Sequence, residues 1–191
     1  MTKASLLSLE QTDAAGLFTI IFENENHSEF VKFVNKFKDD AIRKNELRII
    51  LNQIDVMLQK GIEERRFRPE GKMSDGVAAL PVYQSGLRLY CLRLSDNTRY
   101  KMKQDKKGRE LFRHIIDETP EDLKKQLSYS DAIAIKLDGM LKQRGMSQRD
   151  LAKNTGKTEA EVSRWLGGTH NFTLRTLSKI SIVLGEDVIV V

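Results

Sequence analysis

Apolar residues recur along this chain at two spacings, and the change from one to the other predicts its elements. Residues 1–16 carry small and polar side chains without a period and predict a loose arm. Leu17 to Glu23 is a short apolar, β-branched and aromatic run, the pattern of a buried strand. Ser28 is placed to cap a helix whose apolar positions are Phe30, Val31, Phe33, Val34 and Phe37, with Lys32, Lys36 and Lys38 facing out and Asp39–Asp40 closing it. A second helix from about Lys44 to Lys60 sets Leu47, Ile50, Leu51, Ile54 and Leu58 on one stripe, and Gly61 reads as its left-handed cap. These two helices predict an αα-hairpin laid on a sheet.

From Phe67 the pattern becomes strand-like. Phe67–Arg68 leads into the turn-rich stretch Pro69 to Gly76. Val77 to Tyr83 reads as a strand in which Pro81 marks an edge or a bulge, and Gln84, Ser85 and Gly86 make a tight turn. Leu87 to Leu94 is the clearest strand. Leu87, Leu89, Cys91 and Arg93 share one face, and Arg88, Tyr90, Leu92 and Leu94 share the other. A boundary falls near residues 98–104, where the chain turns polar and cationic. Leu111, Phe112, Ile115 and Ile116 then stripe an amphipathic helix. Thr119, Pro120, Glu121 and Asp122 predict the start of a short helix ending near Leu127, and Ser128 to Asp131 restarts another.

Residues 130–185 carry the strongest pattern. Ile133, Leu137, Met140 and Leu141 stripe a helix that ends at Arg144–Gly145. Ser147 caps a second helix to Thr155, closed by Gly156. Thr158 caps a third, Glu159 to Leu166, ended by Gly167–Gly168. Thr173 begins a fourth, with Leu174, Leu177, Ile180, Ile182 and Leu184 available for burial and Gly185 as its stop. The two inner helices are short, joined by a tight glycine turn and anchored by Leu151, Ala152, Val162 and Trp165. Trp165 reads as core rather than as a DNA reader. This arrangement lays one helix across a DNA backbone while the next enters the major groove. The fold class that follows is an α+β N-terminal domain, two helices on a small antiparallel sheet, plus an all-α helix-turn-helix domain. The expected division is an arm at 1–16, an α+β domain at 17–98, a helical linker at 99–128 and the helix-turn-helix domain at 129–191.

Composition narrows the classes further. The 191 residues are 40% hydrophobic and 31% charged, which excludes a wholly disordered chain. No apolar run approaches a membrane-spanning length, so no membrane partner is expected, and Met1 to Leu9 does not read as a secretory signal. The single cysteine, Cys91, excludes an internal disulfide framework and suits the cytoplasm. His27, His114 and His170 lie far apart, so no metal site and no cofactor is expected. The net charge of +5 is compatible with nucleic acid without being diagnostic. Residues 1–40 hold 4 bases against 7 acids, whereas residues 41–100 hold 11 against 7 and residues 129–191 hold 9 against 7. This places basic faces in the middle and at the end of the chain.

Gly145 to Ala152 (GMSQRDLA), Gly156, Val162 to Leu166 (VSRWL) and Gly168 resemble the lambda-repressor/Cro-type (XRE) helix-turn-helix family, in the form found among HigA-like antitoxins. The resemblance covers about 55 residues. It implies a sequence-specific transcription regulator bound to a double-stranded DNA operator. Gln148 matches the glutamine that meets phosphate. Thr158, Glu159, Ala160 and Arg164 match the positions that reach base edges, where Arg suits guanine and Glu accepts from cytosine. Ser163, Thr169, His170 and Asn171 are candidate phosphate contacts. Glu159 and Glu161 leave the recognition helix less basic than usual.

Residues 17–96, through Phe67–Arg68, Ala79 to Pro81 and Leu87 to Leu94, resemble a shortened RelE/HigB-type toxin. That resemblance implies ribosome-dependent cleavage of messenger RNA, with Arg68, Lys72, Arg88, Tyr90 and Arg93 as candidate catalytic residues. Pro81 stands where an arginine is often found, and the expected last strand is replaced by polar residues 97–108. Two readings of the N-terminal half stay open: a remnant or partner domain in which Arg88 and Arg93 are scaffold residues, or an active nuclease fused to its own antitoxin. A third reading is a protein-interaction module. The partners implied are operator DNA, a toxin protein or the ribosome, and a second copy in a homodimer. The apolar tail Asp187 to Val191 is expected as a strand that pairs with its copy or with the N-terminal sheet.

Overall fold

The computed structural model of the chain describes residues 3–69, 77–81, 87–92 and 102–190. It divides into two compact units, Met1–Glu64 with Pro69–Thr119, and Arg65–Arg68 with Pro120–Val191. Lys72 and Arg93 lie outside the described residues, as does the side chain of Arg68.

The first unit opens on a hairpin. Strand β1 (Ala4–Gln11) pairs antiparallel with β2 (Gly16–Phe22), with a register shift between Ser8 and Glu10. The loose arm expected at 1–16 is therefore a strand. Leu7 and Leu9 bury themselves, and the Thr12 backbone N–H donates to the Ala15 carbonyl at 2.9 Å to close the turn. Helix α1 (Glu29–Phe37) is capped by Ser28, whose hydroxyl accepts from the Val31 N–H at 3.2 Å. Helix α2 (Lys44–Lys60) buries all five predicted stripe residues. Gly61 has the positive φ expected, +100°, but an extended ψ rather than a left-handed cap.

Helix α3 (Lys106–Asp117) belongs to this unit and is not a linker. Its N-cap, Asp105, accepts from the Gly108 N–H at 2.9 Å and also receives the Ser28 hydroxyl, so one carboxylate ties the caps of α1 and α3 together. The Asp105 N–H donates to the Ser8 carbonyl at 2.9 Å and the Ser8 N–H to Lys103 at 3.1 Å, which fastens α3 to β1. Phe112 is fully buried and meets Phe30 edge to face, 6.3 Å between centroids. Arg113 spans Glu10 at 3.1 Å and Asp55 at 2.8 Å.

The remaining strands, β3 (Arg68–Pro69), β4 (Val77–Pro81) and β5 (Arg88–Leu92), form a separate sheet in that order, with Val77 opposite Leu92 and Pro81 opposite Arg88. The α+β class holds, but the single sheet expected is two, because β1 takes the pairing that β2 offers.

The second unit is helical: α4 (Glu121–Gln143), α5 (Gln148–Thr155), α6 (Glu159–Leu166) and α7 (Leu174–Leu184). The two helices expected across 119–143 are one, α4. Thr119 does not cap it; its hydroxyl turns back to the Ile115 carbonyl at 2.7 Å and finishes α3. The core is Leu137, Met140, Leu141, Leu151, Ala152, Val162, Trp165, Leu166, Leu177, Ile180, Leu184 and Val188. Leu174 and Ile182, expected inside, are exposed, because α7 has one buried face and it holds Leu177, Ile180 and Leu184. Residues 187–190 form no strand. Val188 plugs into the core, and its N–H donates to the Ser181 hydroxyl at 3.0 Å.

Trp165 is 3% exposed at the centre of this core. Trp165→Ala is expected to lower the stability of the second unit by about 3–5 kcal/mol through the cavity it leaves. Chemical denaturation followed by far-UV circular dichroism measures it. A change within about ±0.5 kcal/mol, the ordinary range of surface substitutions, would remove Trp165 from the core.

Candidate DNA interface

Each of the two inner helices is started by a reciprocal pair of hydrogen bonds. At α5, the Asp150 N–H donates to the Ser147 hydroxyl at 3.1 Å, and the Ser147 N–H donates to the Asp150 carboxylate at 3.0 Å. At α6, the Glu161 N–H donates to the Thr158 hydroxyl at 3.2 Å, and the Thr158 N–H to the Glu161 carboxylate at 2.9 Å. Such boxes satisfy donors that a helix start leaves over and fix where the helix begins. Between them, Thr155 is fully buried and its hydroxyl returns to the Leu151 carbonyl at 2.6 Å. Gly156 then takes φ +63°, and the Lys157 N–H reaches back to the Ala152 carbonyl at 2.8 Å. This left-handed residue, where a β-carbon would be strained, turns the chain from α5 into α6 across the three residues 156–158.

The predicted contact residues are brought to the same region. Gln148 is exposed in the first turn of α5. Thr158, Glu159 and Ala160 are exposed at the start of α6, and Ser163 and Arg164 are half-buried one turn on. Thr158 serves first as the cap. Glu159 lies 3.8 Å from Arg149, so α5 and α6 face each other through a cation and an acid at their exposed ends. After α6, Thr169 and His170 are half-buried and Asn171 is exposed. His170 packs edge to face on Phe172 at 4.8 Å and beside Trp165 at 6.5 Å. Arg149, Lys153 and Lys157 were not among the predicted contacts. All three are exposed, Arg149 in the first turn of α5, Lys153 further along it and Lys157 in the α5–α6 turn, and their signal was the cationic spacing 149, 153, 157.

Two titrations follow from this geometry. The Thr158 N–H, the Lys157 ammonium and the Thr158 hydroxyl hold the Glu161 carboxyl down to about 2. Burial, then the positive charge of Arg164, pushes the His170 imidazole below its ordinary 6.5, so the ring is neutral at neutral pH.

Of the N-terminal candidates, Arg88 and Tyr90 have described side chains. Arg88 and Tyr90 occupy alternate positions on β5 and are exposed together. Among the described residues no group of three or more His, Cys, Asp or Glu side chains is placed to hold a metal ion. No helix among them is long and apolar enough to cross a membrane.

A depressed carboxyl stabilises the fold above its unfolded value, and that contribution is lost as pH falls through the folded value. The Glu161 contribution is therefore expected in full above pH 4.5 and absent by about 2. Thermal melting across that range should show a smaller acid loss for Glu161→Gln than for the parent chain. A histidine titration followed by NMR should place His170 below 6.5.

No curated protein and no solved structure matches the chain. Residues 136–188 match the family model of the Cro/C1-type HTH DNA-binding domain. With the four-helix core, the capped inner helices and the glycine turn in place, the second unit carries a Cro/C1-type helix-turn-helix DNA-binding domain.

Proposed function

We propose that this protein is a sequence-specific transcriptional regulator that reads operator DNA through α6. The observation that carries the reading is the shared exposure of Gln148 at the start of α5 and of Thr158, Glu159 and Ala160 at the start of α6, above a core closed by Trp165 and Val162. A helix start presents backbone N–H groups and a positive dipole end, so the beginning of α5 suits a phosphate. Arg164 is the base-reading cation, and Arg149, Lys153 and Lys157 add phosphate attraction along α5 and its turn into α6. A homodimer on a two-fold site supplies the base pairs that one such unit lacks. In the finer form of the reading the regulator is of antitoxin type and works in the cytoplasm. For the toxin-like reading of the first unit, the support is the exposure of Arg88 and Tyr90 together on β5.

Duplexes selected by the full chain from a randomised library supply the probe. Arg164→Ala is expected to cost roughly 1–3 kcal/mol on the selected duplex and to relax preference at one base position. Gln148→Ala should weaken all duplexes about equally and flatten the dependence of affinity on salt. Titration at two salt concentrations measures both. A chain that enriches no sequence would overturn the reading.

A further inference from the structure

The family match begins at residue 136, yet the helix-turn-helix unit contains a charged cluster built from residues before it. Asp131 on α4 is buried. Its Oδ1 accepts from Arg65 Nη2 and from Arg66 Nη2, both at 2.7 Å. The second arm of the Arg65 fork, Nη1, donates to the main-chain carbonyl of Leu166 at 2.9 Å. Leu166 is the last residue of α6. The side chains of Arg65, Arg66 and Asp131 are 9%, 2% and 9% exposed. Gly168 closes over the cluster at φ +81°. A β-carbon there would lie 2.7 Å from Asp131 Oδ1, 3.2 Å from Arg65 Nη1 and 3.3 Å from Arg66 Nη1.

We infer that Arg65 and Arg66 are positioning residues of the DNA interface, fixing the end of α6 and the loop 169–171 against α4. This inference rests on the DNA-binding reading above. The last carbonyls of a helix have no partner within it and carry partial negative charge, so a guanidinium at Leu166 matches both needs. A planar fork holds a carbonyl and a carboxylate at once, which a lysine ammonium on a flexible stem does not reproduce. The apolar core holds Val162, Trp165 and Leu166, whereas the turn at Gly167–Gly168 has no side chain of its own to anchor it. That turn leads directly to Thr169, His170 and Asn171, so its direction sets where those side chains stand. The DNA-binding unit is thus assembled from two separated stretches of chain. Burying these charges is costly unless they are mutually satisfied, and the removal of one partner leaves the others buried.

The test uses the full chain with Arg65→Met, Arg65→Lys and Gly168→Ala, read by amide hydrogen exchange and by affinity for the library-selected duplex. In Arg65→Met, exchange should accelerate at residues 166–171 relative to α5 and α7. Its dissociation constant should rise about tenfold, the worth of one charge-assisted hydrogen bond. Arg65→Lys keeps the charge but not the bridge and should fall between. Should Arg65→Met not fold, Arg65→Lys and Gly168→Ala carry the comparison. Exchange that rises uniformly across the unit, or an affinity unchanged in folded variants, overturns the inference. If the parent chain selects no duplex, the DNA reading fails, and the exchange pattern alone decides whether Arg65 positions the loop.

Discussion

Helices α5 and α6 are eight residues each, shorter than a helix that persists alone in water, so the interface they present depends on the core beneath them. Leu151 and Ala152 from α5, and Val162, Trp165 and Leu166 from α6, meet Leu137, Met140 and Leu141 of α4 and Leu177, Ile180 and Leu184 of α7. Burial orients the two helices, and the hydrogen-bonded caps set where each begins. Gly156 joins them because only a residue tolerant of a left-handed backbone turns the chain so quickly. Exposure of both helix starts follows from the same arrangement, since the apolar face of each helix is already committed.

The first unit uses polar groups for a similar purpose. Asp105 satisfies the start of α3 and receives the hydroxyl that starts α1. Gly108 lets α3 approach β1, where a β-carbon would fall 2.4 Å from Leu9 Cδ2 and 2.5 Å from the Asp105 carboxylate. Glu10, Asp55 and Arg113 form a linked set joining β1, α2 and α3. These contacts explain why α3, which reads as a connector, is part of the first unit's core.

Charge in the second unit is divided by depth. At the surface, Glu159 and Glu161 temper the cations around the α5–α6 turn, and Glu161 is engaged as a cap. In the proposed reading, binding energy depends on a few donors in defined places rather than on a strong general attraction to phosphate. In the interior, Asp131 with Arg65 and Arg66 meets the end of α6. A buried cluster of this kind holds together as a set, because removing one partner leaves a buried charge uncompensated. The carbonyl that Arg65 holds is that of Leu166, the last residue of α6.

Sequence alone determined α1, α2 and the last three helices, because each has an apolar stripe at helical spacing and a local start or stop signal. Ser28, Ser147, Thr158 and Thr173 cap where they were expected, and Gly156 and Gly185 close their helices with positive φ. The candidate contact residues were chosen by the same local logic, from their positions at the starts of the two inner helices. Sequence did not reveal β1, whose Leu7 and Leu9 sit among serines and become a strand only once β2 and α3 cover them. It split α4 at Ser128, because polar residues there hid a continuous helix. It read the tail as a strand from its β-branched run, whereas Val188 fills a place in the helical core. The pairing of Arg65 and Arg66 with Asp131 could be decided only by tertiary structure: a buried ion cluster requires partners brought together across some sixty-six positions, and no local period records that separation.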